Sequence, residues 1–368
     1  MAVPPPLPFG KGLLQLSRTA IFPLVGDRST WKREHLLPIF ATIVSGVALI
    51  AVPLPGLQIS ATPEINAAWQ VYLIVAVYIA FLVNYYINQM CAHPKPGWLL
   101  AIVSLFTFAM LGSRYWHAWY NLFYNVLPAA EWQKSPHLFV RLAGWWFGTG
   151  LCEEGFKSWP LFGLVVLGAA LGWLSRRANG RLGGRLASLQ KRIGLSEPLD
   201  GIVLGVASGS GFFIAETLLQ YVPHAMQAQK FAGSQAFEGL VLLLGRGLPN
   251  IAEHCAWCGL FGYFIGLAVL QPRTAAFLIP VGWLSAAALH AGWDGIGSIT
   301  NSNLFVAVFL VGVGVLSYAL LAGAIFHARD ISPNQAYRLA DGAEGVATSV
   351  GHPPPIPLLV EAELPDGD

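Results

Sequence analysis

The chain has 368 residues, of which 55% are hydrophobic and only 11% charged, with a formal net charge of +2. Soluble domains carry roughly 25% charged residues, so the composition excludes an ordinary soluble fold and points to an all-α, polytopic bundle of membrane helices. So small a net charge also argues against a nucleic-acid partner, and the apolar composition makes membrane lipids an expected partner. The four cysteines, Cys91, Cys152, Cys255 and Cys258, all sit in or beside apolar stretches, which argues against a disulfide framework.

Residues 1–35 read as a cytosolic leader. Met1 to Phe9 is Pro-rich, with no apolar core and small-residue cleavage site behind it. Trp31-Lys32-Arg33-Glu34-His35 reads as an interfacial anchor before the first span. Apolar windows long enough to cross a bilayer follow at 36–55, 68–90, 98–116, 143–174, 199–221, 245–270, 275–296 and 304–327, which makes about eight helices. The fourth window has room for a re-entrant or interfacial start. Tyr115 to Lys134, rich in aromatic residues, reads as an interfacial segment on the outer face. The division expected is a leader (1–35), three helices with that segment (36–142), a core of helices four to seven (143–298), helix eight (299–327) and a disordered tail (328–368).

Lys and Arg placement sets the orientation. Arg176, Arg177, Arg181, Arg185, Lys191 and Arg192 fall between helices four and five, and the leader is also basic, whereas 56–67 and 297–303 hold neither residue type. An eight-helix topology with both termini in the cytoplasm satisfies this pattern.

Leu151-Cys152-Glu153-Glu154-Gly155-Phe156-Lys157 places two carboxylates and an ammonium inside an apolar segment. Ionisable groups at membrane depth are costly, face a bundle interior and mark function. Helix periodicity puts Glu153 and Lys157 on one face, with Glu154 about 100° away. Helix five carries a stripe of Ser208, Phe212, Glu216 and Gln220, flanked by Gly205, Gly209 and Gly211 at a spacing that permits close helix approach. Helix six carries Arg246, Asn250, His254 and Cys258 on one face, and helix seven carries His290 and Asp294. Cys255-Ala256-Trp257-Cys258 has metal-like spacing, but a lone pair of thiols inside a membrane helix reads as packing.

Counted from the cytoplasmic helix ends at about 1.5 Å per residue, Glu216 and His254 lie about 24 Å deep, His290 about 22 Å and Glu153 about 31 Å. Polar groups on helices of alternating direction thus share one outer zone. Glu153 fits least well, and a tilted or broken helix four would bring it in.

The blocks Glu153-Glu154-Gly155-Phe156-Lys157 (EExxK), Phe212 to Glu216 (FxxxE), Arg246 to Gly266, with His254, Trp257 and Gly262-Tyr263, and His290 to Asp294 (HxxxD) together resemble the PrsW family of intramembrane proteases. That family is distantly similar to the CAAX prenyl protease/bacteriocin-processing group, whose pattern is EExxxR, FxxxH and HxxxN. Relative to that group, Glu216 stands in place of a histidine, and Lys157 replaces an arginine one residue further on. The resemblance covers about 150 residues, from helix four through helix seven.

The resemblance implies an endopeptidase acting on membrane-anchored proteins, such as anti-sigma-factor-like substrates, near the outer leaflet. The catalytic candidates are Glu153, Glu154, Lys157, Glu216, His254, His290 and Asp294. Hydrolysis needs an activated water, oxyanion stabilisation and a proton for the leaving amine. Glu153 is preferred as base by analogy with the first Glu of the related group, and the other glutamate orients or packs. His254 and His290 with Glu216 could instead hold Zn2+ with one open position. The zinc and metal-free mechanisms both stay open at this point. So do two other classes: a proton- or ion-coupled transporter or channel, built from the same residue types, and a non-catalytic membrane scaffold.

Overall fold

A computed structural model describes residues 63–90, 95–221 and 251–332. The leader, the first apolar window, Cys91, Arg246, Asn250 and the tail beyond 332 lie outside the described residues. Within them, every regular element is helical. They are α1 (Pro63–Met90), α2 (Gly97–Leu111), α3 (Arg114–Asn121), α4 (Ala129–Trp132), α5 (Leu138–Trp145), α6 (Glu154–Lys157), α7 (Trp159–Arg177), α8 (Gly180–Ile193), α9 (Pro198–Glu216), α10 (Ala256–Leu270), α11 (Ala275–Gly295) and α12 (Asn303–Ile331). Wider π-type turns extend α3 over Leu122–Val126, join α5 to α6 over Trp146–Glu153, and lead into α10 over Ile251–Cys255.

Among the described residues five helical stretches are long and apolar enough to span a membrane, or six if a bent pair counts as one span. The bent pair is Gly97–Leu111 with Arg114–Val126, which turn by 65° at the short break Gly112-Ser113. Ser113 caps the second arm by accepting from the Trp116 N–H at 3.3 Å. The segment expected at 115–134 is therefore itself helical. Helix four is longer than expected, running over 40 residues from Leu138 to Arg177. It is interrupted at Ser158, whose backbone begins α7 ahead of Pro160 at the first turn, where proline's missing N–H costs nothing. The last helix runs to Ile331 rather than ending near 327. Ser332 then anchors it, donating to Glu197 Oε2 at 2.5 Å.

Helix α9 is the axis of the fold. Its span is 83% buried, against 11% for the peripheral α12, and it packs along α10, α2 and α1. Glycine makes this possible. A Cβ on Gly201, Gly205 or Gly209 would overlap the backbone carbonyl of Gly262, Cys258 or His254 on the facing chain. One every four residues, these glycines form the seam expected from small-xxx-small spacing, and the neighbour they meet is α10. Gly211 makes the same kind of approach to Ser104 of α2.

A buried ion pair fastens the far end of α9. Lys95 Nζ lies 2.9 Å from Asp200 Oδ1 and donates to the carbonyls of Gly194 (2.8 Å) and Lys191 (3.1 Å), the otherwise unpaired carbonyls at the end of α8. Asp200 Oδ2 in turn accepts from the Ser196 N–H and hydroxyl. Sixteen residues separate Asp200 from Glu216, about 24 Å along the axis. The two ionic centres among the described residues are therefore well apart.

Candidate active site

The site forms where α6, α9, α10 and α11 meet. Lys157 is fully buried and central. Its ammonium has three donors. One reaches Glu154 Oε1 at 2.7 Å, one His254 Nδ1 at 2.8 Å, and Glu153 Oε2 stands 3.5 Å away. The Phe212 ring covers the remaining side, with its centroid 4.0 Å from Nζ. Lys157 thus leans on its i+3 partner Glu154 more closely than on its i+4 partner Glu153, both spacings being neighbours on a helix surface.

Glu154 is sealed. Its Oε1 also accepts from His290 Nδ1 at 2.8 Å, and its Oε2 takes the Cys258 thiol at 3.4 Å. The same donation leaves His290 Nε2 facing Asp294 Oδ2 (3.3 Å) and Glu153 Oε2 (3.7 Å). Trp257 stacks on His290 with ring centroids 4.6 Å apart. On the opposite flank, His254 Nε2 meets Glu216 Oε2 at 3.0 Å. Since an ammonium has no acceptor, His254 Nδ1 accepts from Lys157 and Nε2–H donates to Glu216, a tautomer assigned from its partners.

Exposure is graded across the cluster. The side chains of Lys157 and Glu154 are closed to solvent, those of His290 and His254 nearly so, while Glu216 is 11%, Glu153 14% and Asp294 29% exposed. Glu153 Oε2 is buried and has no hydrogen-bond partner among the described residues. A carboxylate oxygen left in that state costs free energy and marks a place for water, substrate or a cation.

Two indoles hold this glutamate in place. The wide turn at Trp146–Glu153 disturbs the usual carbonyl pairing. Trp283 Nε1 donates to the Leu151 carbonyl at 3.0 Å, and Trp119 Nε1 to that of Cys152 at 2.7 Å. Gly155 lies between both rings, and a Cβ there would come within 2.9 Å of each. The glycine of the Glu-Glu-Gly sequence is therefore a steric requirement.

All seven candidates from the sequence meet here: Glu153, Glu154, Lys157, Glu216, His254, His290 and Asp294. The expected set on helix five is shortened, since Gln220 is exposed beyond the cluster. Pattern reading missed Cys258 as a partner of Glu154, and it missed Trp119 and Trp283.

Glu153, His254 and His290 offer ligand atoms that all lie within 4.8 Å of one another. Glu153 thus completes the trio rather than Glu216, which is engaged with His254. In type and spacing the three fit a divalent metal, and the Glu153 oxygen, without a hydrogen bond among the described residues, fits one as well. His290 has the carboxylate behind it that metal-bound imidazoles usually have.

The model of the PrsW family, intramembrane metalloproteases, matches residues 95–325. The chain belongs to that family. It is an integral membrane protease, and the matched region includes every residue of the cluster, from Glu153 to Asp294. No curated protein and no solved structure matches the chain.

Proposed function

We propose that this PrsW-family protease cleaves membrane-anchored protein substrates, of the kind represented by single-pass anti-sigma factors, near the outer leaflet of a bacterial plasma membrane, with both termini in the cytoplasm. Residues 143–298 make up the catalytic core. The observation that carries the reading is Glu153 Oε2, which has no hydrogen bond among the described residues and only looser ion pairs with Lys157 and His290, beside two imidazoles on the side of the cluster that opens to solvent.

In this reading Glu153 is the general base. It takes a proton from water as the water oxygen bonds to the scissile carbonyl carbon. His254 Nε2–H, now shared with Glu216, turns to the developing oxyanion. The proton held by Glu153 passes to the amide nitrogen as the C–N bond breaks, which regenerates the carboxylate. Glu154 and Lys157 do not contact substrate; they fix both imidazoles, Lys157 through Nδ1 of His254 and Glu154 through Nδ1 of His290. Asp294 orients His290 from its other nitrogen.

Zn2+ is the metal that this donor set favours; Glu153, His290 and His254 would hold it, with Glu216 yielding Nε2 of His254 and Asp294 yielding Nε2 of His290, and Glu153 would then serve as ligand in place of base. When bound, the metal would lower the pKa of a coordinated water and polarise the carbonyl. The test is cleavage of a single-pass reporter by the purified protein, with and without chelator, for wild type and for Glu153→Ala and His290→Ala. Loss of cleavage in both variants supports the site. Undiminished cleavage by both rejects it, and ion-driven uptake into vesicles in place of cleavage would support a transporter.

A further inference from the structure

Helix α8 has three distinct faces. Gly183 and Gln190 turn toward α7, where a Cβ on Gly172 would come within 2.8 Å of the Gln190 amide. Leu182, Leu186, Leu189 and Ile193 follow the i, i+4, i+7, i+11 spacing of a single stripe, and Leu182 and Leu189 are 60% and 39% exposed. Beside that stripe runs a second row of exposed residues, Arg181, Arg185 and Arg192. Helical geometry sets it about 80° from the leucines.

The charge of this region has one sign. Between residues 158 and 196 there is no Asp or Glu, while Arg176, Arg177, Lys191 and the three arginines of the row are all present. Helix α8 begins three residues after α7 ends, so it lies at the membrane–water boundary of that span. Trp173, 47% exposed, marks that depth, since tryptophan favours the headgroup region. The Arg177 guanidinium covers its ring at 3.9 Å.

We propose that α8 is an interfacial helix that binds anionic phospholipid. Its leucine stripe enters the boundary of the acyl chains, and Arg181, Arg185 and Arg192 engage headgroup phosphates beside it. An exposed apolar stripe flanked by arginines, on a stretch of chain without acids from 158 to 196, complements an anionic leaflet in both chemistry and depth. A water-soluble acidic protein would match the arginines but leave the leucines exposed. The inference is independent of the peptidase reading and concerns the end of the span remote from Glu153.

The test uses the full chain in lipid nanodiscs, with Leu189→Cys carrying an environment-sensitive fluorophore in a Cys91→Ser background. Quenching is read with doxyl-labelled lipid and with aqueous iodide, in phosphatidylcholine discs and in discs also containing phosphatidylglycerol. Lipid quenching should be several-fold stronger in the anionic discs. It should fall with added salt, and fall again in the R181Q/R185Q/R192Q variant. The salt series on the wild-type arginines provides the answer even if that variant does not fold. Equal lipid quenching in both disc types, or free iodide access in anionic discs as expected for a face kept for a soluble partner, overturns the proposal.

Discussion

Lys157 Nζ lies 2.8 Å from His254 Nδ1, so a lysine on one membrane helix fixes which nitrogen of an imidazole on another carries the proton. That imidazole then presents N–H toward Glu216 and the open side of the cluster. Replacing Lys157 with Met should keep the volume and lose the ordering. Cleavage should drop at least 100-fold, in line with general acid–base contributions of about 10²–10⁴. A nitrogen-15 spectrum of the His254 ring should show the change of tautomer.

The two adjacent glutamates should separate into different phenotypes. Glu153→Gln should abolish cleavage with little loss of stability, because its Oε2 has no hydrogen bond to lose. Glu154→Gln should be the destabilising change. It removes the carboxylate shared by Lys157 and His290, and breaking a buried pair costs about 3–5 kcal/mol. Thermal unfolding in detergent alongside the cleavage assay checks both. Equal loss of stability in the two variants would contradict the assignment.

Metal binding should follow Glu153 and not Glu216. Titration of purified protein with Co2+, read by its visible absorption, should lose the site in Glu153→Ala. In Glu216→Ala, which releases His254 Nε2, the site should persist or tighten. The opposite order would return Glu216 to the ligand set.

Much of this arrangement is legible in the sequence, because charged groups in apolar helices have few places to go. Glu153, Glu216, His254 and His290 do meet in one cluster, and the helix that carries Glu153 is interrupted at Ser158, between Glu153 and its basic end. The glycine stripe was equally readable, although not the partner it meets. Other features carry no signal in a single chain. Trp119 and Trp283 look like any lipid-facing aromatics until a disturbed helix offers them carbonyls. Lys95, between two prolines, reads as a loop charge until the fold brings Asp200 to it. The closer pairing of Lys157 with Glu154 is one of two that helical spacing permits, and spacing does not choose between them.

The indole clamp should be required for activity. Trp283→Phe keeps the packing and removes the donor to the Leu151 carbonyl. The cost should be about 1–3 kcal/mol for an unpaired buried acceptor, and cleavage should fall in kcal-equivalent proportion or more as Glu153 loosens. Gly155→Ala should be harsher, since its new methyl would press on both rings. Cleavage rate and melting temperature, measured together, separate the two effects.

Gly209→Ala should disable the protein from outside the cluster. The added carbon meets the His254 carbonyl and forces α9 away from α10, whereas Gly184→Ala, with open space around it, should be silent. Detergent stability and cleavage measured for the pair provide the comparison.

Backbone touching backbone leaves nothing soft to yield. At Gly201, Gly205 and Gly209 the facing atoms are backbone and cannot swing aside, so the pair cannot creep past one another by a fraction of a turn. The next permissible match lies a full four residues away, and there Glu216 would no longer reach His254. Alignment of the chemistry is thus set in whole steps, and in this helix pair the catalytic groups are either in register or absent.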